Sequence, residues 1–408
     1  NEKTAKEKGW CRMSKRANDE GSVSFNKGKN LWVATVTTEG KRVFRYAKTQ
    51  KLALEKLAEL NREKSLGVTL TSSIKLNQFL PEWLEVHKNT IREKSYDSYK
   101  GIIKNHIIPR LGKYSLNKLT PEIITNTWSR MINEGYSPTL TRHCQRRLSV
   151  ALNVAVKRNI ISRNPCQYAT VPKELPKEIH ILEEKDYQEI LDYTKSNYPE
   201  YYGIIFIALQ TGMRRGELCA LQWRDIDLDL ANIYVNRSVY EKGGKSIYQP
   251  PKTKNSKREI ALVPEAVIFL RELKESMKMN SDIYGFELNE QSHVFRYITG
   301  STIKNQSTTN TFKKIVRQIA MSKVITTDLS NDEIKIAKDT VAKAVKLHFH
   351  DLRHTHAGIM LKMAVHPKVV QERLGHSSIS VTMDIYSHIT PNMQRDAIKG
   401  FTLFNQPV

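Results

Sequence analysis

The chain has 408 residues, with 65 Lys+Arg against 42 Asp+Glu and a formal net charge of +23. With 39% hydrophobic residues the composition excludes a disordered chain, and the charge points to a polyanionic partner, nucleic acid first and a membrane surface second. Cys11, Cys144, Cys166 and Cys219 form no C-x-x-C pair, and the longest apolar stretch, Tyr201 to Leu209, is about half a membrane span, so a soluble cytoplasmic protein without zinc, disulfides or signal peptide is expected.

Residues 1–20 are basic and poor in apolar side chains, as expected of an arm that orders on binding. From Gly21 onward short β-type runs alternate with turn signals: Ser22 to Phe25, Lys27-Gly28-Lys29-Asn30, Leu31 to Thr37, Glu39-Gly40, and Lys41 to Tyr46. This predicts a three-stranded sheet, covered by a helix that Thr49 caps and that presents Ala53, Leu57 and Leu60 to it. Lys27, Lys29, Lys41, Arg42 and Arg45 alternate with Trp32, Phe44 and Tyr46, which predicts one packed face and one basic face of a size that enters a DNA major groove. A merely solvated face is the competing reading.

Residues 65–73 read as a linker. Helices are predicted near residues 76–88, 95–108, 120–134 and 138–158, the last opened by Ser137-Pro138. In that helix Leu140, Cys144, Leu148, Ala151, Leu152 and Ala155 line one side. Arg142, Arg146, Ser149 and Asn153 line another, which suits phosphate contacts unless it is an ordinary solvated face. Asn164-Pro165 ends this helical part, and Pro172 to Pro176 makes a second linker. From Ile179 the pattern is helical, then three-stranded near residues 232–239, 246–249 and 258–263, then helical to about residue 400. The fold class is therefore mainly α with small β-sheets, in several domains. The charge is uneven along this order. Residues 1–175 hold 33 basic and 15 acidic side chains, an excess of +18, which leaves +5 for the remaining 233 residues. The first part is expected to grip the polyanion, and the second to act more selectively.

Three short segments of the second part hold unusual residues. Thr211-Gly212-Met213-Arg214-Arg215-Gly216-Glu217-Leu218 follows an apolar helix that Gly212 would end. His348-Phe349-His350-Asp351-Leu352-Arg353-His354-Thr355-His356 sets His350 and Arg353 at i, i+3 on one helical face. Leu374-Gly375-His376 is followed ten residues later by Tyr386.

Together these resemble the tyrosine recombinases of the phage-integrase type, whose signature is T-G-x-R, H-x-x-R, L-G-H and a tyrosine. The resemblance also implies a lysine in the turn between the second and third strands, which Pro251-Lys252-Thr253-Lys254 supplies. Spacings of 38, 98, 3, 23 and 10 along Arg214, Lys252, His350, Arg353, His376 and Tyr386 follow the family order over about residues 177–390. The resemblance implies residues 21–67 as an arm-type DNA-binding domain, 74–170 as a helical core-binding domain, and 177–408 as a mixed, mostly helical catalytic domain with a C-terminal tail.

Elementary chemistry fits these residue types. Two forked guanidiniums, Arg214 and Arg353, can neutralise the non-bridging oxygens of a phosphodiester with no metal or cofactor. Tyr386 is the expected nucleophile and forms a phosphotyrosyl bond, with His350 as proton acceptor. Lys252, with Lys254 as rival, protonates the expelled sugar oxygen, and His376 hydrogen-bonds the phosphate. Because the covalent link stores the energy of the broken bond, the strand can be rejoined to another without ATP. A metal cluster of His350, His354 and His356 is disfavoured by the cation Arg353 among them, and His354 and His356 read better as packing or solvated residues. Glu217 is expected to support Arg214 or a neighbouring cation, with a plain surface carboxylate as the competing reading, and Arg215 faces elsewhere.

The expected function is thus a site-specific recombinase integrating and excising a mobile element, a phage or a conjugative transposon, through a four-way junction. The expected partners are double-stranded DNA at core and arm attachment sites, three further protomers in a homotetramer, an excisionase and a DNA-bending host protein, with no membrane. A type IB-like topoisomerase and a non-catalytic DNA-binding regulator are the alternatives. The acidic stretch from Thr326 to Lys343 departs from the family pattern as an insertion or partner contact, and Thr390 to Phe404 is a candidate for docking on a neighbouring protomer or on its own chain.

Overall fold

The computed structural model describes residues 20–38, 41–65, 74–173, 179–251, 256–324, 340–341, 346–385 and 387. Lys252, Lys254 and Tyr386 lie outside them, as do the arm before residue 20, most of the acidic stretch 326–343 and the tail 390–404. The chain divides into two compact units, Asn1–Pro176 and Lys177–Val408.

In the first unit β1 (Ser22–Asn26), β2 (Leu31–Thr38) and β3 (Lys41–Ala47) form an antiparallel sheet in the order 1-2-3, followed by α1 (Gln50–Ser65). Asn30, at φ 49°, closes the first turn, and the Thr49 hydroxyl accepts from Leu52 N to start the helix. Ala34 and Val36 pack against Leu57 and Leu60 in a small core.

The phase of the sheet differs from the sequence expectation. Ala34 pairs with Arg45 and Val36 with Val43, so Arg45 lies on the helix-covered face. There its guanidinium donates to Glu59 at 3.1 Å and Glu63 at 2.7 Å. Phe44 and Tyr46, expected on the packed face, share the outer face with Arg42 and are exposed. The small residues Ala34 and Ala47 leave room on the covered side for an arginine stem but supply no anion, which α1 provides. Lys27, Lys29, Lys41 and Arg42 are exposed, and the Lys29 ammonium sits 4.4 Å from the Tyr46 ring centre. The outer face thus mixes cations with aromatics and hydroxyls rather than being uniformly basic.

The helical part consists of α2 (Leu76–His87), α3 (Glu93–Ile102), a π turn (Ile103–Ile107), α4 (Ile108–Leu111), α5 (Pro121–Asn133) and α6 (Pro138–Lys157). Ser137 caps α6 through Leu140 N, and Cys144, Leu148, Ala151, Leu152 and Ala155 form its buried side against Trp83, Trp128 and Ile107. The opposite side is less open than expected. Arg142 donates to Pro172 O at 3.0 Å, and the Asn164 amide donates to Ser149 and Asn153, whereas Arg146 is exposed.

The second unit begins with α7 (Glu184–Asn197), α8 (Pro199–Thr211) and the short α9 (Arg215–Leu218). The expected three-stranded stretch is two sheets. β4 (Ile226–Asp227), β5 (Asn232–Val235) and β8 (Arg258–Ala261) pair in the order 4-5-8, while β6 (Ser238–Lys242) and β7 (Lys245–Gln249) form a hairpin over Gly243-Gly244. The break falls where Asn236 and Arg237 turn their side chains onto the buried Asp225 carboxylate. α10 (Pro264–Tyr284), α11 (Asn305–Ser322), α12 (Asp351–Lys362) and α13 (Pro367–Leu374) complete it, around a core containing Trp223, Phe312 and Leu352. Among the described residues no helix is long and apolar enough to cross a membrane.

Arg45→Ala should destabilise the first unit by about 1–3 kcal/mol, because it strands the largely buried Glu63 carboxylate. Arg42→Ala should leave stability unchanged, and thermal denaturation of both variants checks the assignment of faces.

Candidate active site

Two helix ends of the second unit meet at the site. α8 stops at Gly212 (φ 63°) and α13 at Gly375 (φ 67°), both left-handed C-caps. Gly212 has a second constraint: a Cβ there would lie 2.5 Å from Leu374 and 2.7 Å from the His356 ring, so the chain leading to Arg214 is pressed against α12 and α13.

The carbonyls of these two ends aim the arginines. Arg353, 2% exposed on the first turn of α12, donates through Nη1 to Gly212 O at 2.8 Å and through Nη2 to Leu374 O at 2.6 Å. Arg214, at the start of α9, donates through Nη2 to Gly375 O at 2.8 Å and through Nη1 to Glu217 Oε1 at 2.8 Å. A helix C-terminus carries partial negative charge, so both guanidiniums are held by the anionic ends of helices as well as by hydrogen bonds.

Glu217 is the buried carboxylate of the cluster. Its Oε2 accepts from Arg214 N at 3.0 Å and from Arg258 Nη2 at 2.9 Å. Burial alone would raise its pKa, but the charge and hydrogen bond of Arg258, then those of Arg214, hold it below the usual carboxylate range. Arg258 was not singled out from the sequence. It shares the buried phase of β8 with Ile260, and an arginine on the inward side of a strand is the signal that could have found it. It also donates to Arg373 O at 2.6 Å and Ser256 O at 3.2 Å. Arg373, likewise missed, donates to Ala261 O, Gln210 O and His356 Nε2, and so ties β8, α8, α12 and α13 together. Its acceptors are tertiary, and nothing in the local sequence announces them.

His376 is buried behind Gly375. Its Nδ1 lies 2.9 Å from Thr382 Oγ1, and its main chain is held by Gln371 on both sides, through His376 N to Gln371 O and Gln371 Nε2 to His376 O. Burial, followed by the charges of Arg353, Arg214, His354 and His350, brings its pKa down to about 3. His350 is exposed at the start of α12, with its ring 4.8 Å from that of His354. His356 points elsewhere: Nδ1 contacts Leu209 O at 2.7 Å, and Nε2 accepts from Arg373 Nε at 3.1 Å, which makes Nδ1 the protonated nitrogen. Burial and then Arg373 bring its pKa down to about 4.

The structure therefore gathers Arg214, Arg353 and His376, with His350 close by, around one carboxylate. Burial lowers the pKa of Arg353 well below the ordinary range, reinforced by the charges of Arg214 and Arg258. An anion with several acceptor oxygens would relieve that repulsion. Among the described residues no group of three or more His, Cys, Asp and Glu is placed to hold a metal. Lys252 and Tyr386 lie outside the described residues; next to the latter, Ile385 is buried with Leu361, Val370 and Leu374.

The buried histidines make a pH prediction. His356 and His376 are neutral in the folded protein, at pKa values of about 4 and about 3, and return towards 6.5 on unfolding. Below pH 6.5 the unfolded chain binds more protons, so stability should fall with pH, by about 1.4 kcal/mol per unit for each imidazole. Urea unfolding of the second unit between pH 7 and 5 should show this slope, and His356→Phe should remove about one proton's share of it. A flat profile would contradict the neutral assignment.

Residues 180–393 match the phage integrase family, and residues 75–132 match the phage integrase N-terminal SAM-like domain. The ICEBs1 integrase of Bacillus subtilis (strain 168) is 26% identical, over 88% of this chain and 92% of that protein. Among solved structures, the Tn1549 transposon integrase in complex with a circular intermediate DNA superposes with a TM-score of 0.66 at 20% identity, over 80% of this chain and 99% of that one. A lambda integrase tetramer bound to a Holliday junction gives 0.52 at 18% identity, over 91% and 96%. With the family match running across more than half its length, from the strand of chain before α7 to beyond Tyr386, the chain belongs to the phage integrase family.

Proposed function

We propose that this protein is a site-specific DNA recombinase that integrates and excises a mobile element through a phosphotyrosyl intermediate. The observation that carries the reading is the pair Arg214 and Arg353, two guanidiniums fixed on main-chain carbonyls with a single buried carboxylate between them and Arg258. A phosphodiester supplies the missing negative charge, and its non-bridging oxygens match the forks. Tyr386 attacks phosphorus, His350 accepts the phenolic proton, and the sugar oxygen leaves as an alcohol with a proton from Lys252. His376, neutral in the free protein, hydrogen-bonds the phosphate. Rejoining is the reverse step with a hydroxyl from a second strand, so neither ATP nor metal enters the balance.

Residues 21–67, 74–170 and 177–408 act as arm-type, core-binding and catalytic domains. The first two grip double-stranded DNA through Lys27, Lys29, Lys41, Arg42 and Arg146, while Arg45 and Arg142 hold protein groups. Four protomers assemble at the junction, as in the lambda integrase complex, with an excisionase and a DNA-bending host protein setting direction.

On a nicked suicide duplex carrying its own attachment site, wild-type protein should accumulate a covalent adduct. Tyr386→Phe should bind the duplex equally and form none. Absence of an adduct from the wild type would overturn the reading, and relaxation of any supercoiled plasmid without paired sites would replace it by a topoisomerase. Binding should weaken steeply with salt, by about 0.9 in log K per log salt for each phosphate contact.

A further inference from the structure

The clamp accounts for one phosphate, and Gly375 and His376 also wall a cavity of about 360 Å³. Its other walls are Lys257, Arg258, Lys368, Gln371 and Glu372. Arg258 points its donors inward, onto Glu217, Arg373 O and Ser256 O, so it contributes field rather than a contact. Among the described residues, the cations that can reach an occupant are the exposed Lys257 and the half-exposed Lys368.

Lys368 is not loose. Its ammonium donates to Gln371 Oε1 at 3.2 Å and lies 3.4 Å from Glu372 Oε1. Gln371 is buried, and its amide Nε2 donates in turn to His376 O at 3.2 Å. One side chain thus positions both a lysine at the cavity and the main chain of the histidine at the scissile phosphate. With Arg258 paired to Glu217 and Lys368 beside Glu372, Lys257 leaves the wall with an excess positive charge that favours an anion, and the shared wall sets its place in the strand.

Building on the recombinase reading, we infer that this cavity seats the phosphate adjacent to the scissile one. Lys257 and Lys368 are its contacts, and Gln371 keeps the two phosphates in register. The site is a positioning device: it fixes where along the strand the clamp closes.

The test combines a substrate change with a protein change. Suicide duplexes are made with a neutral methylphosphonate at the phosphate on either side of the cleavage point, and single-turnover adduct formation is measured for wild type and for Lys257→Ala/Lys368→Ala. Wild type should lose roughly tenfold or more in rate with one of the two modified duplexes. The double variant should lose a similar factor on the natural duplex and nothing further on that modified one, and its binding should show a salt slope smaller by about 0.9. If wild type tolerates both methylphosphonates, or the double variant remains as sensitive as wild type, the cavity does not hold that phosphate. Failure of the underlying reading looks different, because no duplex then gives an adduct with wild-type protein.

Discussion

The second unit depends on a buried arginine that, among the described residues, is held by main-chain carbonyls rather than by a carboxylate of its own. Arg353 donates to Gly212 O and Leu374 O, the last carbonyls of two helices that run together from different parts of the chain. Burying a guanidinium without an ion partner is costly unless its donors are satisfied, and the ends of helices supply both acceptors and partial negative charge. Much of the local structure follows from that need. Both helices must end in left-handed residues for their carbonyls to face inward, and Gly212 and Gly375 meet that requirement. Leu374 and His356 press against Gly212, and Arg373 braces the same junction through three further acceptors.

The result is a local excess of positive charge in the interior of the second unit. Glu217 serves Arg214 and Arg258, whereas Arg353 faces both of those cations and is depressed by burial and by them. His376 yields to the same field and is neutral. On the proposed recombinase reading, stability is given up here for preorganisation: the dipoles that would stabilise charge on phosphorus oxygens are in place before DNA arrives, and little reorganisation is left for the reaction. The first unit uses its charge in another way. Arg45 and Arg142 are tied to protein groups, and the exposed cations are interleaved with Phe44 and Tyr46. The sequence-wide +23 therefore overstates how many cations are available to a partner.

Legibility from sequence followed how local each constraint is. Helix caps at Thr49 and Ser137, the glycine stop at Gly212, and the order of Arg214, His350, Arg353 and His376 are written in short segments, and the structure brings those four residues to one place. Arg258 and Arg373 escaped because several of their partners are main-chain carbonyls more than a hundred residues away, and such acceptors carry no residue identity. The sheet phase departs from expectation because Phe44 and Tyr46 are apolar in composition, while the deciding residues are the small Ala34, paired with Arg45, and Ala47 on the helix-covered face. The split of the second sheet hinged on Asn236 and Arg237 reaching Asp225, again a tertiary contact.

The central claim is that helix-end carbonyls aim Arg353 and Arg214 at a single phosphate. A crystal structure of the Tyr386→Phe protein on its own attachment-site duplex measures this directly. The account predicts the scissile phosphate bridged by both guanidiniums, with Arg353 still on Gly212 O and Leu374 O and Arg214 still on Gly375 O. Guanidiniums that leave those carbonyls to reach the DNA, or a scissile phosphate bound away from them, would contradict it.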